Sequence, residues 1–244
     1  MALLRARRSI TIRAYLSDPK LRISPGSLRG RAAGSEWRGW PTSMKHFTVN
    51  SRLIRYLCLL AASLLAGPAR ADEATDQFNV ASGAFKLNRF DFAADEYEKF
   101  LKAYPKHEQV SEALYFLGES HYQLDKLEDA RTRFREVVAK HPNSRNYFFA
   151  LYRVGETSHL LGDSKSAEPA LAEFVTKRPD DPLLEFAIAS LGRVQLQLGK
   201  RPEAKTTLRN AINKFPKGRL ADQSQFDLAQ TLEQLGEKDE AIRL

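Results

Sequence analysis

The residues that could carry chemistry are few and scattered. The five histidines are His46, His107, His121, His141 and His159, and no two of them are spaced as a metal-binding pair on one helix face. A metal site needs His, Cys or carboxylate ligands converging from short spacings, and none is expected. Paired carboxylates could serve general acid–base catalysis, and two such pairs occur, Glu96/Glu98 and Asp180/Asp181. The first pair reads as a solvated helix face. The second, followed by Pro182, reads as a helix-start signal, where acid complements the helix dipole. HExxH, GxSxG, the phosphate-binding loop and GxGxxG are all absent. The lone Cys58 allows neither an internal disulfide nor a Cys-based metal centre. The expectation is a protein that is not an enzyme and holds no cofactor.

The charge distribution excludes a second class. The chain of 244 residues has a net charge of +8, but residues 1–43 carry +7 and 44–71 carry +4, leaving −3 for 72–244. A mildly acidic body does not suit a phosphate backbone, so no nucleic-acid partner is expected.

The basic N-terminal part reads as targeting sequence. From Met44, the residues Lys45, Arg52 and Arg55 precede a 12-residue apolar run from Tyr56 to Gly67. Ala69-Arg70-Ala71 then forms a small-x-small cleavage box before Asp72. This is the three-part pattern of a secretory signal peptide, with a run too short to span a bilayer, which takes ~20 residues. Residues 44–71 are therefore assigned as a signal, with export to a periplasmic space as the expected destination. The alternative is an uncleaved signal that anchors the chain in the inner membrane. Residues 1–43 are Arg-rich and lack periodicity; they read as a disordered stretch upstream of the true start, or as a transit peptide.

What positions the remaining side chains is a repeat. Pro105, Pro142, Pro179 and Pro216 recur every 37 residues. Three further columns keep the same period: Ala81, Gly118, Gly155, Gly192 and Ala229; Asn88, Asp125, Gly162, Gly199 and Gly236; Ala93, Ala130, Ala167, Ala204 and Ala241. The first of these calls for two helices in close approach. The second supplies residues that tolerate the left-handed conformation at a helix end. The alanines line the partner helix, and each proline stops it. Leu114, Leu117, His121 and Leu124, then Leu127, Ala130, Phe134, Val137 and Val138, form two amphipathic stripes at helical spacing. The expected helix pairs are 74–87/90–103, 111–124/127–140, 146–161/164–177, 183–198/201–214 and 219–235/238 onward, antiparallel because so few residues join the two helices of each pair.

These columns resemble the tetratricopeptide repeat, a helix–turn–helix unit of ~34 residues. Leu117-Gly118, Ala130, Phe134 and Pro142 reproduce its pattern, as do Val154-Gly155, Ala167, Leu171 and Pro179, and Leu191-Gly192, Ala204, Leu208 and Pro216. The resemblance implies an all-α, right-handed α-solenoid over residues 72–244, with about four and a half repeats. The longer linker after each proline is similar to the exported bacterial branch of the family. That branch includes the periplasmic coordinator of the Tol-Pal system and the helical lipoprotein of the outer-membrane assembly machine. The chain lacks the coordinator's coiled-coil segment before the repeats and the lipoprotein's lipidated cysteine. It also stops at Leu244, early in a second helix, which reads as a truncated array.

The family lines its concave surface with the first helix of each pair. On these helices the columns Phe78, Tyr115, Tyr152, Ala189, Phe226; Ser82, Glu119, Glu156, Arg193, Gln230; and Phe85, Tyr122, His159, Leu196, Glu233 form a ladder of rings flanked by charge. Such a groove suits a peptide with apolar and basic side chains. The family's carboxylate clamp is not expected, because Tyr115, Glu119, Tyr152 and Glu156 replace its Lys and Asn. The expected function is a non-catalytic protein-interaction scaffold of the bacterial cell envelope. Alternatives are the interaction arm of a larger protein with an enzymatic or sensor domain beyond residue 244, and a cell-wall glycan-binding module.

Overall fold

A computed structural model describes residues 67–243. The expectations for 1–43 and for the signal segment up to residue 66 lie outside these residues. Ala74–Leu244 forms one compact unit. Ten α-helices follow one another: α1 Gly67–Lys86, α2 Phe90–Ala103, α3 Val110–Gln123, α4 Leu127–Lys140, α5 Tyr147–Leu160, α6 Ser164–Lys177, α7 Leu184–Gln197, α8 Arg201–Lys214, α9 Ala221–Gln234 and α10 Lys238–Ala241. No strand occurs among the described residues. They form five repeats, α1/α2 through α9/α10.

The observed helices agree with the expected pairs to within one or two residues, with two exceptions. The first is α1, which begins at Gly67 and so carries Ala69, Ala71 and Asp72 in its opening turns; the side chains of these three lie outside the described residues. The second is α10, which closes after one turn. No described helix is long and apolar enough to cross a membrane.

Each column does what its residue type dictates. Asn88 and Asp125 have φ of 58° and 65°, and Gly162, Gly199 and Gly236 have φ of 77°, 74° and 81°. All five end a first helix in the left-handed region, which Gly enters freely and Asn or Asp enters at modest cost. Ala93, Ala130, Ala167 and Ala204 are completely buried at the contact between paired helices. The small-residue column marks the closest approach. A Cβ on Gly118 would meet the ring of Phe134 at 2.6 Å, and one on Gly155 would meet Leu171 Cγ at 2.6 Å. Neither leaves room for a methyl group.

The second helices stop before their prolines. Tyr104, His141, Arg178 and Phe215 leave the helix with nearly one conformation, φ near −130° and ψ between 54° and 58°. From α2 onward each helix packs on its sequence neighbour, α1 meets α2 through Phe78 against Tyr97 and Phe100, and the first helices α5, α7 and α9 also pack side by side. The result is an all-helical solenoid whose first helices form one layer and whose second helices form the other.

Candidate interaction face

The first helices carry the candidate site, and the structure sorts its residues by exposure. Phe78, Phe85, Tyr115, Tyr122 and Tyr152 are all buried, none more than 6% exposed. This corrects the expectation of an open ladder of rings. Phe78 lies edge-on to Tyr97 and Phe100, at centroid distances of 5.7 and 5.6 Å. Tyr115 packs against Phe134 at 5.7 Å and Tyr152 against Phe174 at 5.5 Å. Phe85 meets Phe90 and Phe116. The rings fill the seams between paired helices and, for Phe85 and Tyr122, between successive repeats, where burying their area stabilises the array.

Phe226 is the exception, at 66% exposed. The ring that covers Tyr115 stands 19 positions later, at Phe134. Phe226 is the one ring of the column that stays open to solvent.

Beneath the ring column lies a charged centre. Arg153 donates from Nε to Glu119 Oε1 at 2.6 Å and from Nη2 to Glu119 Oε2 at 2.9 Å. Its Nη1 donates to Glu156. The guanidinium stacks on Tyr122 with its carbon 4.5 Å from the ring centroid. Tyr152 donates its hydroxyl to Glu156 at 3.2 Å. Burial pushes the Glu119 carboxyl upward against the pull of Arg153, and the two neighbouring carboxylates hold the Arg153 guanidinium firmly charged. Two repeats further on, Arg193 grips Asp227 from Nε and Nη2 at 2.9 and 2.8 Å, and Gln223 donates to the other Asp227 oxygen.

Glu119 is therefore engaged and closed to solvent, whereas Glu156 and Arg193 remain partly open, with side chains 18% and 28% exposed. Across these groups three carboxylates, Glu119, Glu156 and Asp227, face two guanidiniums, Arg153 and Arg193. Among these five groups one negative charge is in surplus.

Two rings went unnoticed in the sequence. Phe149 and Phe186 stand one turn ahead of the ring column, in equivalent positions on α5 and α7, and both are half-buried. Seven residues after each, on the same helix face, come Glu156 and Arg193. The signal was available: the column Glu112, Phe149, Phe186, Gln223 has the same 37-residue period.

No cluster of three His, Cys, Asp or Glu poised for a metal exists among the described residues. His121 Nε2 lies 3.9 Å from Glu98 of the preceding repeat, a neighbour that sequence spacing did not show. Charges on the outer face of the second helices are paired between repeats, as in Arg131 to Asp163 at 3.1 Å. Asp181 does mark a helix start: it accepts the Leu183 amide at 3.0 Å and is held by Arg178.

The tetratricopeptide repeat profile matches residues 81–145 and 190–244. The chain is built of tetratricopeptide repeats. Similar solved structures carry the same fold. MamA resembles it with a TM-score of 0.60 and 22% identity, covering 70% of this chain and 86% of that one. MamA from Desulfovibrio magneticus RS-1 gives 0.60 and 20%, covering 70% and 90%. YrrB, described as a tetratricopeptide-repeat protein with an unusual peptide-binding site, gives 0.59 and 18%, covering 68% and 80%. No curated relative matches the chain by sequence. The tetratricopeptide repeats of this chain thus form a two-layered helical array, with the first-helix layer as the candidate interaction face.

Proposed function

We propose that this repeat protein is a non-catalytic scaffold of the bacterial cell envelope that receives an extended or helical segment of a partner protein on its first-helix face. The observation that carries the reading is the pairing of half-buried Phe149 and Phe186 with partly open Glu156 and Arg193 on adjacent helices. Half-exposed rings offer contact area at low entropic cost. The surplus carboxylate favours a partner with basic side chains beside apolar ones. Export rests on the signal pattern between Met44 and Ala71. Three of the four rings that would stack on sugars, Phe78, Tyr115 and Tyr152, are buried, which weakens the support for a glycan-binding module.

The test is affinity capture from envelope extract with the full chain, beside a variant carrying Phe149→Ala, Phe186→Ala and Glu156→Gln. Capture of a discrete polypeptide by the wild type and its loss from the variant, with helicity unchanged, is the expected result. Equal capture by both would place the binding elsewhere.

A further inference from the structure

The contacts between successive repeats differ in a regular way. On the outer rim, a residue in the second turn of α4, α6 and α8 meets the residue that caps the next repeat's second helix, 32 positions on; at the first junction the equivalent residue is Ala94 and the ladder is absent. The pairs are Arg131 with Asp163 at 3.1 Å, Glu168 with Lys200 at 2.6 Å, and Lys205 with Glu237. The sign of the charge reverses at every step. The side chains of Arg131, Glu168 and Lys205 are each about one-fifth exposed, whereas their partners Asp163, Lys200 and Glu237 are 39%, 46% and 38% exposed, so each pair is open to solvent on one side and partly screened.

The inner layer behaves likewise at a spacing of 34. Glu119 takes Arg153, and Arg193 takes Asp227, with acid and base exchanged. Between them the same spacing of 34 leads from Glu156 to Ser190, which carries no charge, and at the first junction the equivalent position holds Phe116, packed on Phe85 and Tyr97. Each of the four junctions therefore has its own chemistry.

Repeats of equal length and shape can dock out of order, because hairpin n could pack on hairpin n+2 or on the hairpin of a second copy. Misassembly of this kind is the characteristic failure of repeat chains. We infer that the alternating charges encode the order of the repeats and penalise every arrangement that skips one. Packing repeat 1 on repeat 3 would set Arg153 opposite Ser82, with no carboxylate from the docking repeat to receive it. Packing repeat 2 on repeat 4 would oppose Arg131 to Lys200 and strand Glu119 opposite Ser190. Packing repeat 3 on repeat 5 would oppose Glu156 to Asp227 and Glu168 to Glu237. A ladder of constant sign would stabilise the native order equally and would forbid none of these.

The full chain provides the test. In the four-residue variant Glu168→Lys, Lys200→Glu, Arg193→Glu, Asp227→Arg, every native pair survives with its charges exchanged. Repeat 3 now attracts repeat 5 at both layers. After dilution from denaturant at micromolar concentration, size-exclusion chromatography with light scattering should show several-fold more exchanged dimer or slowly refolding species than wild type. The midpoint of equilibrium unfolding should stay close to wild type. The milder variant Glu168→Lys/Lys200→Glu, confined to the outer rim, guards against a folding defect and should shift the same readout in the same direction. Monomer yield and refolding phases identical to wild type in the rim variant, and in the four-residue variant if it folds, would overturn the inference.

Discussion

Arg153 of α5 and Glu119 of α3 are joined by two parallel hydrogen bonds across a repeat junction, with both side chains 4% exposed. Such a pair is strong in its effect on specificity and weak as a net source of stability, because both ions leave water. Removing one partner strands the other. Arg153→Ala should cost about 3–5 kcal/mol, read from the denaturant midpoint. Replacing both, as Glu119→Leu/Arg153→Met, should recover most of that loss. A single substitution with less than about 1 kcal/mol of effect would show that the carboxylate is hydrated rather than buried.

Glycine-to-alanine substitutions should differ in sign by position. At Gly155 the added methyl meets Leu171 at 2.6 Å, so thermal stability should fall by about 1–3 kcal/mol. At Gly83, inside α1 with nothing within 4 Å, the same change should raise it by roughly 0.5–1 kcal/mol. Melting curves of the two variants, measured side by side, check the contrast.

The left-handed helix ends give a ranking. At Gly162, φ is 77°, and the equivalent residues in the first two repeats are Asn88 and Asp125. Gly162→Ala should cost about 1–2 kcal/mol and Gly162→Asn clearly less, because Asn relieves part of the strain through local hydrogen bonding. An equal loss for both substitutions would mean that the joint relaxes.

Acidification should weaken the fold through its buried histidines. Burial lowers the affinity of His121 and His159 for a proton below the ordinary value of 6.5. For His121 the nearby Asp129 and Glu98 oppose the shift and Lys126 and Arg133 add to it; for His159 Arg193 adds to it, while Glu156, Gln197 and Asp227 oppose it. Between the folded and unfolded values the unfolded chain binds more protons. This stabilisation is therefore present above about pH 6.5 and is lost as pH falls through the lower folded values. Denaturant midpoints between pH 7.5 and 5 should decline, and His121→Gln/His159→Gln should flatten that part of the profile.

If the first-helix face accepts a basic segment, its affinity should fall as salt rises, since partly open charges are screened. Glu156→Gln should weaken binding by roughly 1 kcal/mol, about fivefold, measured by titration calorimetry with the captured partner. Insensitivity to both would point to apolar contacts alone.

The fold was legible because its determinants repeat. The proline stops, the residues from Asn88 to Gly236 and the glycines facing Phe134, Leu171 and Leu208 each state a local backbone requirement, and the common period gives their order. The candidate face was less legible. Leu114 and Tyr115 are neighbours on one helix, and whether the ring turns toward the groove or into the seam depends on how the hairpin tilts. Spacing does not fix that tilt, so the rings were placed outside when they lie within. The charge ladders escaped notice for a different reason. Their partners stand 32 and 34 positions apart, near the repeat length but off it, so neither helical spacing nor column alignment brings them together.

The near-identical exit conformation of Tyr104, His141, Arg178 and Phe215 has a mechanical corollary. Each such joint is a lever: a few degrees of rotation there swings every later hairpin as a body. Repeating one angle four times makes the arc of the array depend on a single local geometry. Tilting one joint, for example by recutting the contact of Tyr104 with Phe100, would redirect everything beyond it while leaving each hairpin internally intact.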